Sequence, residues 1–157
     1  MPENAGEFQR PSAAELIFGR ILMALVRIGL VRGHFFVLEV RGRKTGKMIS
    51  LPVDPIEVGG RLYLVCARGN AQWVRNARAA GEIALVRAMR RVRYAVREMP
   101  PEARAPILKA YLDLYASEVQ RFFPVRKGSA VEAFHDLAAR YPVLELRSWD
   151  ETAGDSR

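Results

Sequence analysis

The sequence predicts an α+β fold, mainly antiparallel β with flanking helices, on three observations. Gly59-Gly60 marks a tight hairpin between two apolar, strand-like runs. Ile83 to Ala88 and Val92 to Met99 form a second hairpin. Within it Val92, Tyr94 and Val96 alternate with Arg91, Arg93 and Arg97, giving one buried and one cationic face. Strands and helices do not alternate regularly along the chain, which argues against a doubly wound parallel sheet.

The elements follow in order. Residues 1–11 and 150–157 are polar, small or proline-containing and are expected to be disordered. Residues 12–149 suffice for a single domain with a sizeable core. Ser12-Ala13-Ala14-Glu15 matches a capping box. It opens an N-terminal amphipathic helix, 12–31, whose apolar run is Leu16 to Val31. That run is short for a membrane span. It either packs on the domain as a core helix or lies on a membrane surface as a basic amphipathic helix carrying Arg20 and Arg27. His34 to Val40 reads as a strand. Met48 to Val58 is a strand broken by Pro52 and Pro55, and Arg61 to Ala67 is an inner strand, apolar on both faces. Asn70 is placed to cap a short helix that runs to Ala80 and is closed by Gly81. Trp73, Ala77 and Ala80 share one face of it. Pro100-Pro101 ends the second hairpin. Pro106 to Val119 is a helix with Leu108, Tyr111, Leu112 and Tyr115 at helical spacing. Ser129-Ala130-Val131-Glu132 is a second capping box, for a helix to Tyr141 stopped by Pro142. Val143 to Trp149 closes the sheet.

Net charge is +8, and only four of the 25 basic residues are lysines. A solvated basic surface, nucleic acid, an anionic membrane or an acidic small molecule each accounts for that balance. Cys66 is the single cysteine, in an apolar run. Intramolecular disulfides and cysteine-based zinc sites are therefore excluded, and an inert buried thiol is expected. The charged, proline-containing start lacks the parts of a secretory signal, so a cytoplasmic protein is expected. There is no Gly-x-Ser-x-Gly elbow. His34 and His135 have no carboxylate pattern that would make a metal site, and no metal is expected. No paired carboxylates stand out, and no catalytic residue is assigned. Such a chain, if it is an enzyme, suits redox work in which a cofactor carries the chemistry.

Two segments suggest that cofactor. Arg41-Gly42-Arg43-Lys44-Thr45-Gly46-Lys47 lies between apolar runs and precedes Leu51-Pro52-Val53. Arg offers a planar fork, Lys a point charge and Thr a hydroxyl to a phosphate, and the glycines admit a close backbone approach. Three residues between the glycines, and Met48 after the lysine, exclude a nucleotide P-loop. Taken alone, this segment reads first as a basic surface turn. The second segment, Gly69 to Ala79, leads from a strand into a helix N-terminus with free backbone donors. Trp73 there, taken alone, reads first as a core residue, a reading weakened by its place just after a strand and Arg68-Gly69-Asn70. Together the two segments suit a phosphorylated, aromatic cofactor.

In combination they resemble the deazaflavin-dependent nitroreductase and quinone reductase family, which uses coenzyme F420. The shared pattern is Gly42-Arg43-Lys44-Thr45-Gly46-Lys47, Leu51-Pro52-Val53, Arg68-Gly69-Asn70, and Trp73, Asn76 and Ala79, in the same order from about Phe36 to Val86. The resemblance implies a split β-barrel of the flavin- and deazaflavin-binding type. It implies that Arg43, Lys44, Thr45 and Lys47 hold the cofactor phosphate. Backbone groups near Ala67, Arg68 and Gly69 would lie along the deazaflavin ring, Pro52 would also bind the cofactor, and Trp73 and Asn76 would shape the ring and phosphate ends. It implies hydride transfer from reduced F420 to a small hydrophobic acceptor: quinone-like, nitro or otherwise electron-poor. FMN stands second as cofactor. Two departures are visible. Ile49 stands where the family often has arginine, and Phe123-Pro124 is followed by Val125-Arg126-Lys127, without the tyrosines that line the substrate pocket in some members. The alternatives are a split barrel that binds a flavin, haem or a fatty acyl chain without F420 catalysis, and a basic nucleic-acid-binding module using Arg91, Arg93 and Arg97. Nucleic acid is not the expected partner, because the aromatics near that face alternate inward.

Overall fold

The computed structural model describes residues 11–149 apart from Arg32. The disorder expected at residues 1–10 and 150–157 lies outside the described residues. The chain forms α1 (Ala13–Arg27), β1 (Phe36–Arg41), β2 (Met48–Val53), β3 (Ile56–Val58), β4 (Arg61–Val65), α2 (Gln72–Ala80), β5 (Glu82–Arg87), β6 (Arg90–Glu98), α3 (Ala105–Val119) and β7 (Val143–Ser148). Short 3₁₀ turns join α3 to β7.

The seven strands form one sheet in the order β2-β1-β5-β6-β7-β4-β3, antiparallel throughout. Its two edges, β2 and β3, are separated in the chain by Asp54-Pro55 alone. The sheet must therefore curl until its edges approach, giving an incompletely closed barrel split at Pro55. Proline has no N–H to offer a ladder and is tolerated at such an edge. Leu38, Val40, Leu64, Ile83, Leu85, Leu144 and Leu146 fill the barrel, and Trp73 and Ala77 of α2 plug it. Tyr94 and Val96 point inward as the alternation predicts, but Val92, near the β5–β6 turn, is exposed. α3 covers another face through Leu108, Tyr111, Leu112 and Tyr115.

α1 packs on the barrel, as the first of its two readings has it. Leu22, Met23 and Val26 bury against Val37 and Val86. The capping box forms: Ser12 Oγ accepts from the Glu15 N–H, and Glu15 accepts from the Ser12 N–H at 2.7 Å. Its opposite face is also apolar, with Ile17, Ile21 and Ile28 each more than half exposed.

Three further expectations are corrected. α1 ends at Arg27 rather than Val31, because Gly29 turns left-handed (φ 79°). The Ala88 and Met89 N–H groups then bond Val26 and Arg27 C=O at 3.1 and 2.7 Å. These two residues form the β5–β6 turn at positive φ, a conformation usually left to glycine or asparagine. Asn70 does not cap α2: its Oδ1 accepts from Arg78 Nη1 at 2.9 Å, and Ala71 stands at the cap. Finally, residues 129–141 form two 3₁₀ turns, Val131–Phe134 and Ala138–Arg140, in place of one helix. Lys109 Nζ ties the Ser129 C=O to α3 and Asp113 binds the Gly128 N–H. The tighter turns let Phe134, Ala138 and Tyr141 all reach the core under α3.

Candidate functional site

The glycine-bounded loop after β1 is a closed turn. The Gly42 N–H donates to Lys47 C=O and the Gly46 N–H to Gly42 C=O, both at 2.8 Å. Arg41 Nη1 donates to Gly46 C=O at 3.0 Å. Gly46 is left-handed (φ 70°). Gly42 is required for space: a Cβ there would stand 3.0 Å from Thr45 Oγ1, 3.2 Å from Lys47 O and 3.3 Å from Ile49 Cδ1. Gly42→Ala is therefore expected to spread the loop, lowering cofactor affinity at least tenfold while costing only about 1–2 kcal/mol of stability. Parallel binding and thermal-unfolding measurements check this. Ile49 packs beneath the loop as an apolar contact where an arginine would add charge.

Arg43 joins this loop to α2. Its N–H donates to Asn76 Oδ1 at 3.2 Å, and its Nη1 donates to Asn76 Oδ1 and Gln72 Oε1, both at 2.9 Å. Those partners are neutral amides, so the guanidinium charge is not cancelled. Asn76 is buried, and it serves by holding Arg43. Lys44 and Lys47 are exposed and have no ion pair among the described residues. Thr45 Oγ1 accepts from the Lys47 N–H at 3.3 Å, leaving the hydroxyl hydrogen free to donate. α2 begins without a side-chain cap and without an acidic residue in its first turn. Its first N–H groups therefore face the same region with the positive end of the helix dipole. Three uncancelled cations, a hydroxyl and an uncapped helix start suit an anion with several oxygens, such as a phosphate.

The second half of the site lies past β4. Gly69 is left-handed (φ 83°) and its carbonyl accepts from the Ala71 N–H, turning the chain into α2. Ala67 and Arg68 are half-buried beside this turn. Cys66 is buried, and burial pushes its thiol up to about 11, so it is inert at neutral pH. Trp73 is half-buried between Cys66 and the barrel interior, so its core role is real. Pro52 lies on β2 beneath α1, where a Cβ on Gly19 would meet its ring at 3.9 Å.

Arg121 and Phe122, which the sequence left unassigned, join Glu15 and Arg68 in tying α1 across this region. Glu15 Oε1 accepts from Arg68 Nη2 at 3.1 Å and Arg121 Nη2 at 2.7 Å. Phe122 lies under both guanidiniums, 4.6 and 4.7 Å from its ring centre. Ser12, first through its N–H and then its hydroxyl, and next Arg68, hold the Glu15 carboxyl down to about 2. Glu15 was visible as a capping residue, but a partner 106 positions away carries no local signal. A cavity of about 400 Å³ opens beside the loop where β1 and β5 part, lined by Arg41, Met48, Ala80 and Ile83. Neither Pro52 nor the Arg68 turn lines it. Tyr111 and Tyr115 are buried in the core under α3.

The model of the F420H(2)-dependent quinone reductase family matches residues 25–127, well over half the chain. No curated protein matches the sequence. A solved structure described as a domain-swapped dimer is similar at a TM-score of 0.53 and 17% identity, covering 85% of this chain and 96% of the other. The protein Atu2129 from Agrobacterium tumefaciens is similar at 0.50 and 14% identity, covering 89% and 57%. An F420-H2 dependent reductase is similar at 0.48 and 18% identity, covering 73% and 94%. The first two likenesses show the fold, a split barrel.

Proposed function

The chain belongs to the F420H(2)-dependent quinone reductase family, and on that premise we propose that it passes a hydride from reduced coenzyme F420 to a quinone-like, nitro or other electron-poor acceptor. It is an F420-dependent oxidoreductase, and the acceptor is the proposed part. One observation supports the placement of the cofactor above others. Arg43, Lys44 and Lys47 stand uncancelled on a loop that Asn76 and Gln72 pin to the uncapped start of α2.

Arg43, Lys44, Thr45 and Lys47 would hold the phosphate. Pro52 and the turn of Ala67, Arg68 and Gly69 would border the ring, with Trp73 as a rigid wall and Asn76 fixing Arg43. Bound reduced F420 supplies the hydride. α1, tied by Glu15 to Arg68 and Arg121, excludes water from the ring segments and narrows the orientations open to an acceptor. Mixing the protein with reduced F420 and menadione tests this. Recovery of oxidised F420 fluorescence well above the protein-free rate is expected. A rate equal to the protein-free control would sink the proposal.

The outer face of α1 suits an acceptor delivered from a membrane. Ile17, Ile21 and Ile28 are exposed in a row, and Phe18 beside them is also exposed. Arg20 is exposed too. An apolar stripe with basic neighbours fits an anionic lipid surface. Among the described residues, no helix is long and apolar enough to cross a membrane. The wild type is expected to sediment with phosphatidylglycerol vesicles, and Ile17→Glu/Ile21→Glu to lose at least tenfold in that binding. Equal sedimentation of the two would remove α1 as the contact. Nucleic acid is left out because Arg91, Arg93 and Arg97 already face Glu39, Glu82 and Glu145.

A further inference from the structure

One polar cluster plays no part in binding the cofactor. His34 precedes β1 and Asp54 follows β2, at the split where the sheet's edges meet. His34 Nε2 lies 3.4 Å from Asp54 Oδ1. Both atoms are buried, and neither makes a hydrogen bond among the described residues. Interiors avoid such arrangements unless they serve a purpose. The imidazole is nevertheless a third exposed (33%), and Nδ1 is not among the buried, unpartnered atoms. The ring therefore turns Nε2 inward to the carboxylate and Nδ1 outward.

The surroundings fix that orientation. The imidazole is packed against Phe35 and Tyr115, with ring centres 4.4 Å away in each case. Tyr115 sits at a kink in α3 (φ −111°, ψ 23°), and its hydroxyl donates to Pro55 C=O at 2.8 Å. That phenol is thus committed and cannot satisfy Asp54. The ionisable groups around the carboxylate are His34, Glu118 and the buried phenols of Tyr111 and Tyr115. Burial pushes the Asp54 carboxyl up to about 6; His34 pulls it down and Glu118 raises it.

The pair connects to the Ala67 turn through packed aromatic rings. Asp54 is two residues beyond Pro52. His34 packs on Tyr115, Tyr115 meets Tyr111 edge-on at 5.3 Å, and Ala67 packs against the same cluster. Nothing in the ring segments themselves supplies an acid.

We propose that His34 donates a proton from Nδ1 to the bound acceptor, and that Asp54 is the positioning residue that holds the imidazole and its charge from the Nε2 side. This rests on the chain's being an F420-dependent reductase. Reducing a quinone to a hydroquinone takes one hydride and one proton. The hydride brings two electrons and forms one new bond to hydrogen. The second forms as the Nδ1–H bond breaks and an O–H bond forms on the acceptor. The electron pair stays on the imidazole, which takes a replacement proton from water.

The test pairs two acceptors with one spectroscopic readout. Menadione needs the proton; the phenazine methosulfate cation becomes neutral on taking a hydride and needs none. His34→Gln is expected to lower kcat for menadione about 100-fold. Its loss with phenazine methosulfate should be only a few-fold, and its F420 affinity should stay within twofold. Asp54→Asn should show the same asymmetry in smaller measure. By carbon NMR of the cofactor-free protein, the Asp54 carboxyl should titrate near pH 6 and move upward in His34→Gln, because a cation that lowers it has gone. Equal loss with both acceptors, or an Asp54 titration that His34→Gln does not move, would overturn the proposal. A wild type that oxidises reduced F420 with neither acceptor would instead refute the cofactor reading beneath it.

Discussion

Arg104→Met is expected to destabilise the protein by about 3–5 kcal/mol, the range for breaking a buried charge network. Arg104 is 6% exposed. Its Nε donates to Met99 C=O at 2.8 Å, and its Nη1 donates to Ala138 and Tyr141 C=O at 3.1 and 3.3 Å. Its Nη2 meets Glu98 at 3.1 Å. One guanidinium thus binds the end of β6 to the 3₁₀ turns before β7, two segments about 40 positions apart. Methionine fills much of the volume but leaves the Met99 and Tyr141 carbonyls without the guanidinium, while Glu98 keeps its two bonds from Arg78. Burial lowers the Arg104 pKa, yet Glu98 opposes this and keeps the group charged. Urea unfolding of the two proteins measures the difference; a loss under 1 kcal/mol would show that water replaces the guanidinium without penalty.

Lys44→Ala/Lys47→Ala is expected to leave stability within about 0.5 kcal/mol, as for exposed residues without partners, and to weaken F420 binding by two to three orders of magnitude. A hydrogen bond to a charged group contributes about 1.5–3 kcal/mol, so each lysine alone accounts for roughly 10- to 100-fold. Thr45 and Arg43 remain and keep the double loss short of complete. Higher salt should weaken wild-type binding more than the variant's, because the screened charges are the ones removed. Unchanged affinity in both single variants would place the phosphate elsewhere.

Much of this was legible in the chain. The hairpin at Gly59-Gly60 and the alternation at Tyr94 and Val96 are local patterns, and both appear in the sheet; Val92, near the turn, is exposed instead. The glycine spacing of the phosphate loop is also local, and the structure closes it as a tight turn. The segment at Ser129 failed because its capping pattern competes with Lys109 and Asp113, which hold its backbone from α3. Asn70 failed likewise, its side chain taken by Arg78. The turn at Ala88-Met89 has no glycine or asparagine to announce it; it is held in place by the end of α1. His34 and Asp54 lie just past the last β1–β2 pair, Phe36 with Val53, so the register of that ladder brings them side by side; the sequence shows the two strands but not their register. Glu15 was recognised for its cap and not for its clamp on Arg68 and Arg121.

The central claim is that this barrel binds F420 through the Gly42–Lys47 loop. A fluorescence titration of the purified protein with F420, with FMN in parallel, tests it most directly. Saturable binding of F420 at micromolar concentration or below, tighter than FMN and weakened in Lys44→Ala/Lys47→Ala, is the predicted result. No saturation with F420, or equal binding by the wild type and that variant, would contradict it.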